Sequence, residues 1–413
     1  MALVATDPFV SLATMQGQAW GWNVPIARVA HPVGGILEAD LAGRADQVAA
    51  FVIEQTAAAA RVTAARPVAI EDRVEAPSDP EAFLDFVQLR GWGDGLPVLL
   101  PTLARVTRML AAHSLDAAEV VGRIPPRNAR ITLREVAVNA VMAGCPDEAF
   151  PVLLAAIRAA LVDSFGLLGV LATTHPCTVG VVVSGPVVDR LGINYGSSLY
   201  GPGNRMNASI GRAVRLSLMN LGGATLVTVD KSSQGSAGKY SFCFAESQLV
   251  NPWPPHHVER GFEVGDSCVT VAAFEGPHNI HEPTASTGEE MMRFLVAAMS
   301  STGHNNIMRR GDLFLVLGPE HAALLARDGW DRKRIRERLW AEAGTPARNV
   351  ADANYAFINE NRRQDAPPPD RRTGRYELSE TPEQIRIVVA GGPGKHSSWL
   401  PTFGLTYSST AKL

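Results

Sequence analysis

Short, mostly apolar runs of strand length, set irregularly among helical stretches, constrain this chain more than any other feature. Val179–Val183, Val269–Phe274, Leu313–Leu317 and Ile385–Ala390 are such runs, and Tyr240–Ala245 alternates as a half-buried strand does. Between them, helical periodicity marks Arg205–Leu221, Glu289–Met299, Pro319–Asp328 and Asp331–Glu342. Strands and helices mix without strict alternation, so the expected class is α/β or α+β with a mixed sheet. No self-similar period of the solenoid or propeller kind is visible.

Residues 81–165 read as a helical region leading into an α/β region over 166–413. Asp79-Pro80 opens a helix over Glu81–Arg90, and a second helix spans Thr102–His113. Thr132 and Glu135 form a capping box, and Gly144 stops the helix that follows. Residues 1–60 read as a small α/β unit. A strand over Val24–Ala30 and a His31-Pro32-Val33-Gly34-Gly35 loop lead into an alanine-rich helix over 38–59. A unit of that size buries only about 60% of its unfolded surface, so it is expected to pack on the main body or another chain through the apolar face of that helix. Pro67, Pro77 and Pro80 mark 61–80 as a linker.

The balance of 38 basic and 41 acidic residues, with no long Lys/Arg run, gives no nucleic-acid footprint. The longest apolar stretch, Phe150–Val162, is broken by Arg158 and reads as a core helix, not a membrane span. Met1–Val10 lacks the pattern of a signal peptide. Four cysteines in 413 residues make no disulfide framework, so a cytoplasmic setting is expected.

Four sets of residues can carry chemistry. The Gly201-Pro202-Gly203 turn with Asn204, Arg205 and Asn207 opens a helix bearing Arg212, an arrangement that binds carboxylate or phosphate. The plain alternative is a tight turn with an asparagine cap and solvated arginines. Gly391-Gly392-Pro393-Gly394-Lys395-His396 follows a strand but departs from a P-loop, leaving an oxyanion nest or an ordinary turn. His256, His257, His278, His281 and His304 fall within 49 residues on loop-like segments. Three of them in one pocket could hold zinc or iron, though no strong metal motif is present; loop histidines in hydrogen-bond networks are the alternative. Finally, Cys177 stands two residues from His175, a base for it if both lie on one strand face. Cys145 opens a helix whose first acids, Asp147 and Glu148, oppose thiolate formation. Cys243 and Cys268 read as core.

Several strings taken together carry a resemblance: Gly-Trp-Gly-Asp-Gly-Leu-Pro-Val at 91–98, the stretch 138–145, Gly201-Pro202-Gly203, 238–243, Gly276-Pro277-His278-Asn279, 318–322 and 391–394. Over most of residues 80–400 the chain resembles a bacterial family associated with UGSC-type selenoproteins. Those carry selenocysteine (or cysteine)-Gly-Ser-Cys near the N-terminus. Residues 24–35 and the following helix resemble the tail of the UGSC domain, yet no Cys-Gly-Ser-Cys occurs in this chain. The resemblance therefore implies a thiol- or selenol-bearing partner subunit, or different chemistry in this branch.

The expectation that follows is a small-molecule enzyme or enzyme subunit, oligomeric, binding an anionic substrate for thiol-linked redox or reductive chemistry. Its catalytic residues would be drawn from Cys177, His175, Cys145, His278 and His281. Gly203, Asn204, Arg205, Asn207, Arg212, Lys395 and His396 would bind substrate. A metal-dependent hydrolase or lyase and a non-catalytic scaffold are the alternatives.

Overall fold

The computed structural model describes residues 3–33, 36–57, 73–226, 228–308, 311–361 and 367–413. Gly34 and Gly35 of the expected loop, residues 58–59 of the expected helix, most of the expected linker and Ala366 lie outside them.

The N-terminal unit comprises β1 (Leu3–Thr6), α1 (Val10–Ala19), β2 (Ile26–Val29) and α2 (Glu38–Ala57), with β1 and β2 paired in parallel. On the main body it docks through α1, where contact through α2 was one of the two expected arrangements; packing of α2 on another chain was the other. Leu12 and Met15 pack on the main core, Ser11 Oγ donates to Thr228 O at 2.7 Å, and Gln16 Nε2 donates to Pro126 O at 2.9 Å. The sequence reading missed α1 because its apolar residues follow no clean helical stripe.

The helical region holds α3 (Pro80–Leu89), α4 (Leu103–Ala111), a hairpin of β3 (Val120–Ile124) and β4 (Ala129–Thr132), α5 (Leu133–Met142), α6 (Phe150–Ala160) and α7 (Leu167–Ala172). Asp79 and Thr102 cap α3 and α4, and the Thr132–Glu135 box opens α5. Among the described residues no single helix is long and apolar enough to cross a membrane. A pair over Asp147–Ala160 and Asp163–Ala172 passes on composition only when joined across a 76° bend, and α6 is mostly core.

The first half of the α/β region follows: β5 (Thr178–Ser184), α8 (Val187–Leu191), α9 (Arg205–Asn220), β6 (Cys243–Ala245), α10 (His256–Glu259) and β7 (Cys268–Phe274), then β8 (His278–His281). The second begins with α11 (Gly288–Met299) and β9 (Leu313–Leu317). It continues through α12 (Pro319–Arg327), α13 (Arg332–Glu342), β10 (Gly344–Pro346), α14 (Asp352–Asn361) and β11 (Arg375–Glu377) to β12 (Ile385–Val389), β13 (His396–Leu400) and β14 (Ser409–Lys412). Both four-stranded sheets are mixed, so the expected class is what the molecule has.

Four layers result. Inner side chains of both sheets (Val182, Phe244 and Phe274 against Phe314, Val316 and Val388) form a sheet-on-sheet core. The outer face of the first sheet packs on α6 and α9, and α5 packs on those helices in turn, so the helical region shares one core with that sheet. The outer face of the second sheet packs on α11, α12 and α13. Both faces are covered, which is why β5, β7 and β9 are buried at every residue and read as continuous apolar runs.

The sheets repeat one design at a spacing far longer than a solenoid unit. In each, a central strand (β5 or β9) is parallel to the next (β6 or β12) and antiparallel to the third (β7 or β13). Each central strand ends in Gly-Pro before a helix. A Cβ on Gly185 would stand 2.0 Å from Asp266 O, and one on Gly318 2.0 Å from His396 O. The fourth strands are exchanged: β8 pairs with β13 of the second sheet and β14 with β7 of the first.

Candidate functional site: a histidine-rich rim around β8

Six of the chain's ten histidines gather where β7, β8 and β13 meet, and this rim is the candidate site. It starts at Glu275, directly after β7, whose N–H donates to Pro401 O at 2.8 Å and so fixes the turn into β8. His175 lies just ahead of β5, its N–H on Thr173 Oγ1 at 3.0 Å and its carbonyl accepting from Ser232 Oγ at 3.0 Å. From there its Nε2 reaches Glu275 Oε1 at 2.7 Å, with side chains only 10% and 18% exposed. His175 Nδ1 is buried with no partner among the described residues. Phe403 tilts against the imidazole at 5.7 Å.

Beside this pair a second buried constellation forms. Asp230 accepts from Lys239 Nζ at 2.8 and 2.9 Å and from Arg215 at 2.8 Å. Burial pushes the Asp230 carboxyl up, but Lys239 and Arg215 outweigh it and hold it below the usual range. Arg215, Lys239 and Cys177 line an enclosed cavity of about 10 Å³, room for roughly one water.

Further along, Trp399 of β13 brings two more histidines together: His304 meets it edge-on at 4.9 Å and His278 at 6.3 Å. Burial lowers the pKa of His304, and the Glu275 carboxylate partly opposes that shift, so Glu275 acts on both His175 and His304. Among the described residues His304 Nδ1 and Trp399 Nε1 are buried without partners. At the far end His281 and His396, cross-strand partners, stack at 4.3 Å and 9°, with His396 Nδ1 2.9 Å from Asn279 Oδ1. Beneath them His321 is buried, Nδ1 at 2.7 Å from Ser397 Oγ and Nε2 at 3.0 Å from Glu282 O.

The rim thus unites His278, His281, His304, His175 and His396 from the sequence reading and adds Glu275, His321 and Trp399. The segments bearing His278, His281 and His396 are strands, not loops. His256 and His257 do not join them. They sit on α10, where His257 Nε2 is 3.1 Å from Glu263 O. His256 is fully buried, and its pKa is driven well below its usual value by burial and then by Arg332, Arg386, Arg260 and Arg336. Among the described residues no three His, Cys, Asp or Glu side chains are placed to hold a metal ion, so the expected zinc or iron set is not assembled.

The cysteines are placed against reactivity. Burial pushes the Cys177 thiol up to about 12, against a downward pull from Lys239 and with Glu275 and Asp230 adding to the rise. No hydrogen bond among the described residues joins it to His175, whose Nε2 is given to Glu275. Cys145 is also pushed up to about 12 by burial. Ser209 and Arg205 pull it down, and Asp147 and Glu148 push it up, as their positions led us to expect.

The expected anion site at 201–209 is already filled by protein groups. Asn204 caps α9 through Asn207 N–H at 3.1 Å, after the Gly203 turn (φ 117°). Asn207 bridges the backbone of Asn194 and Cys243. Arg205 donates to Gly144 O at 3.1 Å, and Arg212 forks onto Asp94 at 2.7 and 2.8 Å. The nest near Gly394 does bind an anion, but it is the chain's own: the N–H groups of Gly394 and Lys395 hold the Glu320 carboxylate at 2.9 and 3.1 Å. Lys395 Nζ donates to Pro283 O at 2.6 Å.

Comparison with family models, curated proteins and solved structures gave no match.

Proposed function

We propose that this chain is a small-molecule enzyme working by general acid–base catalysis at His175, with the rim around β8 binding a small anionic substrate. The observation that carries this reading is the 2.7 Å contact of His175 Nε2 with Glu275, beside a buried Nδ1 that has no partner among the described residues. With Nε2–H donated to a carboxylate, the imidazole is held in the tautomer whose Nδ1 lone pair is the basic end. A buried acceptor left without a donor costs about 1–3 kcal/mol, so the arrangement favours a substrate O–H or S–H there. Proton transfer to Nδ1 makes an imidazolium that Glu275 stabilises, and the proton returns to product.

Anion binding is supported by what the rim exposes: the imidazoles of His278, His281 and His396 and the amide of Asn279. The nearby Glu282 carboxylate is turned onto Thr284 and Ala285. The chain's own cysteines are buried, so thiol-linked chemistry in this reading uses a thiol or selenol brought by a substrate or partner subunit, with His175 removing its proton.

The test compares wild type with His175→Gln and Glu275→Gln against a panel of small anionic thiols and hydroxy acids. The expected loss of turnover in His175→Gln is roughly 10²–10⁴-fold, with the melting transition retained. Full turnover in both variants sinks the reading, and a wild-type chain inert to every compound favours the scaffold.

A further inference from the structure

A second site lies at the carboxyl ends of the strands, away from His175. Outside the ends of the parallel pair β9 and β12 opens a cleft of about 430 Å³, within the usual range for small-molecule sites. In open sheets that location is where ligands bind. Segments from both halves wall it. Tyr195 and Ser197 come from the loop after α8, Pro319 and Glu320 from the start of α12, and the glycine turn after β12 closes one side. The walls meet tightly: a Cβ on Gly392 would stand 2.0 Å from Ser197 Oγ.

Two features define what fits. The lip is apolar. Leu249 and Val250 are 79% and 49% exposed, held outward by a turn in which Ser247 Oγ accepts both their N–H groups at 3.4 and 3.2 Å. The lining carries one charged side chain, Glu320. Its two oxygens are fixed by the amides of Gly394 and Lys395, one each, which leaves a lone pair on each oxygen. Burial pushes its carboxyl up, but those amides outweigh burial, so it is ionised at neutral pH. The head group of Lys395, whose amide holds Glu320, is itself turned to Pro283 O. Tyr195 adds an aromatic face of the kind that attracts a cation.

We propose that this cleft binds a small protonated amine with an apolar body, its ammonium on Glu320 and Tyr195 and its body under Leu249 and Val250. The site is independent of the acid–base reading.

Calorimetric titration of the full chain with phenethylamine, 2-phenylethanol and phenylacetate tests it. The amine saturates the site, and the alcohol and acid bind at least about tenfold more weakly. Glu320→Gln weakens the amine about tenfold without changing the alcohol. Tyr195→Leu, which leaves the nest intact, weakens the amine as well. Equal binding of amine and acid, an unchanged affinity in both variants, or no saturation by the amine overturns the proposal.

Discussion

Arg212 on α9 and Asp94 in the loop after α3 form a two-bonded pair at 2.7 and 2.8 Å, with side chains only 15% and 5% exposed. This pair fastens the Gly-Trp-Gly-Asp-Gly-Leu-Pro segment to the main helix of the first half. Removing one member strands a buried charge. Arg212→Ala is expected to destabilise by about 3–5 kcal/mol, and the double variant with Asp94→Ala by less than the two single losses added. Urea denaturation of the full cycle measures this.

Acid should weaken the molecule through Asp94 and Asp230. Burial raises both carboxyls, but their arginine and lysine partners outweigh it and hold each below its ordinary value. A depressed folded pKa contributes stability that is fully present above the unfolded value, near 3.9, and is lost as pH falls through the folded one. Melting temperature against pH should therefore drop steeply below about pH 4. In Asp230→Asn that drop should be shallower, starting from a lower plateau.

Thiol reagents should fail on the native chain. All four cysteines are buried, and burial lifts Cys177 and Cys145 to about 12 and Cys268 to about 11. Ellman's reagent at pH 7.5 is expected to release almost nothing until denaturant is added. Rapid labelling of Cys177 in the folded protein would restore it as a nucleophile.

Glu275→Gln should lower the titration midpoint of His304 further, because the lost carboxylate is the charge that raises it. Histidine NMR reads this directly, and an unmoved His304 would separate it from the Glu275 site.

The Gly-Pro turns predict a matched pair of failures. Gly185→Ala and Gly318→Ala each push a Cβ to 2.0 Å from a backbone carbonyl oxygen, which side-chain motion cannot relieve. Each should cost several kcal/mol (about 3 or more), seen as lost soluble expression or a sharply lower melting temperature.

The apolar strands and capped helices were legible because covered sheets and helix starts leave local signatures: Leu313–Leu317 and the Thr132–Glu135 box are what they read as. Strands β8, β13 and β14 were not, since His-Asn-Ile-His, His-Ser-Ser-Trp-Leu and Ser-Thr-Ala-Lys carry no apolar run. Their pairing is set by tertiary contacts. The same gap hid the site. His278, His281 and His304 stood out as a cluster in sequence, but only the exchange of β8 into the second sheet brings His278 and His281 to His396 and Trp399, which His304 also meets. The pairing of His175 with Glu275 spans 100 positions, a separation that no local pattern encodes. Arg212 and Lys395 looked available for an anion because their partners, Asp94 and Pro283, lie far along the chain.

The exchanged fourth strands make the two halves a mutual clasp. Cutting the backbone between β8 and α11 would leave each fragment holding the edge that completes the other. Neither piece could close its own sheet, yet the two together would have every ladder they need. Such fragments should be insoluble apart and reassemble when co-expressed, and the intact chain should open in a single concerted step instead of one half at a time.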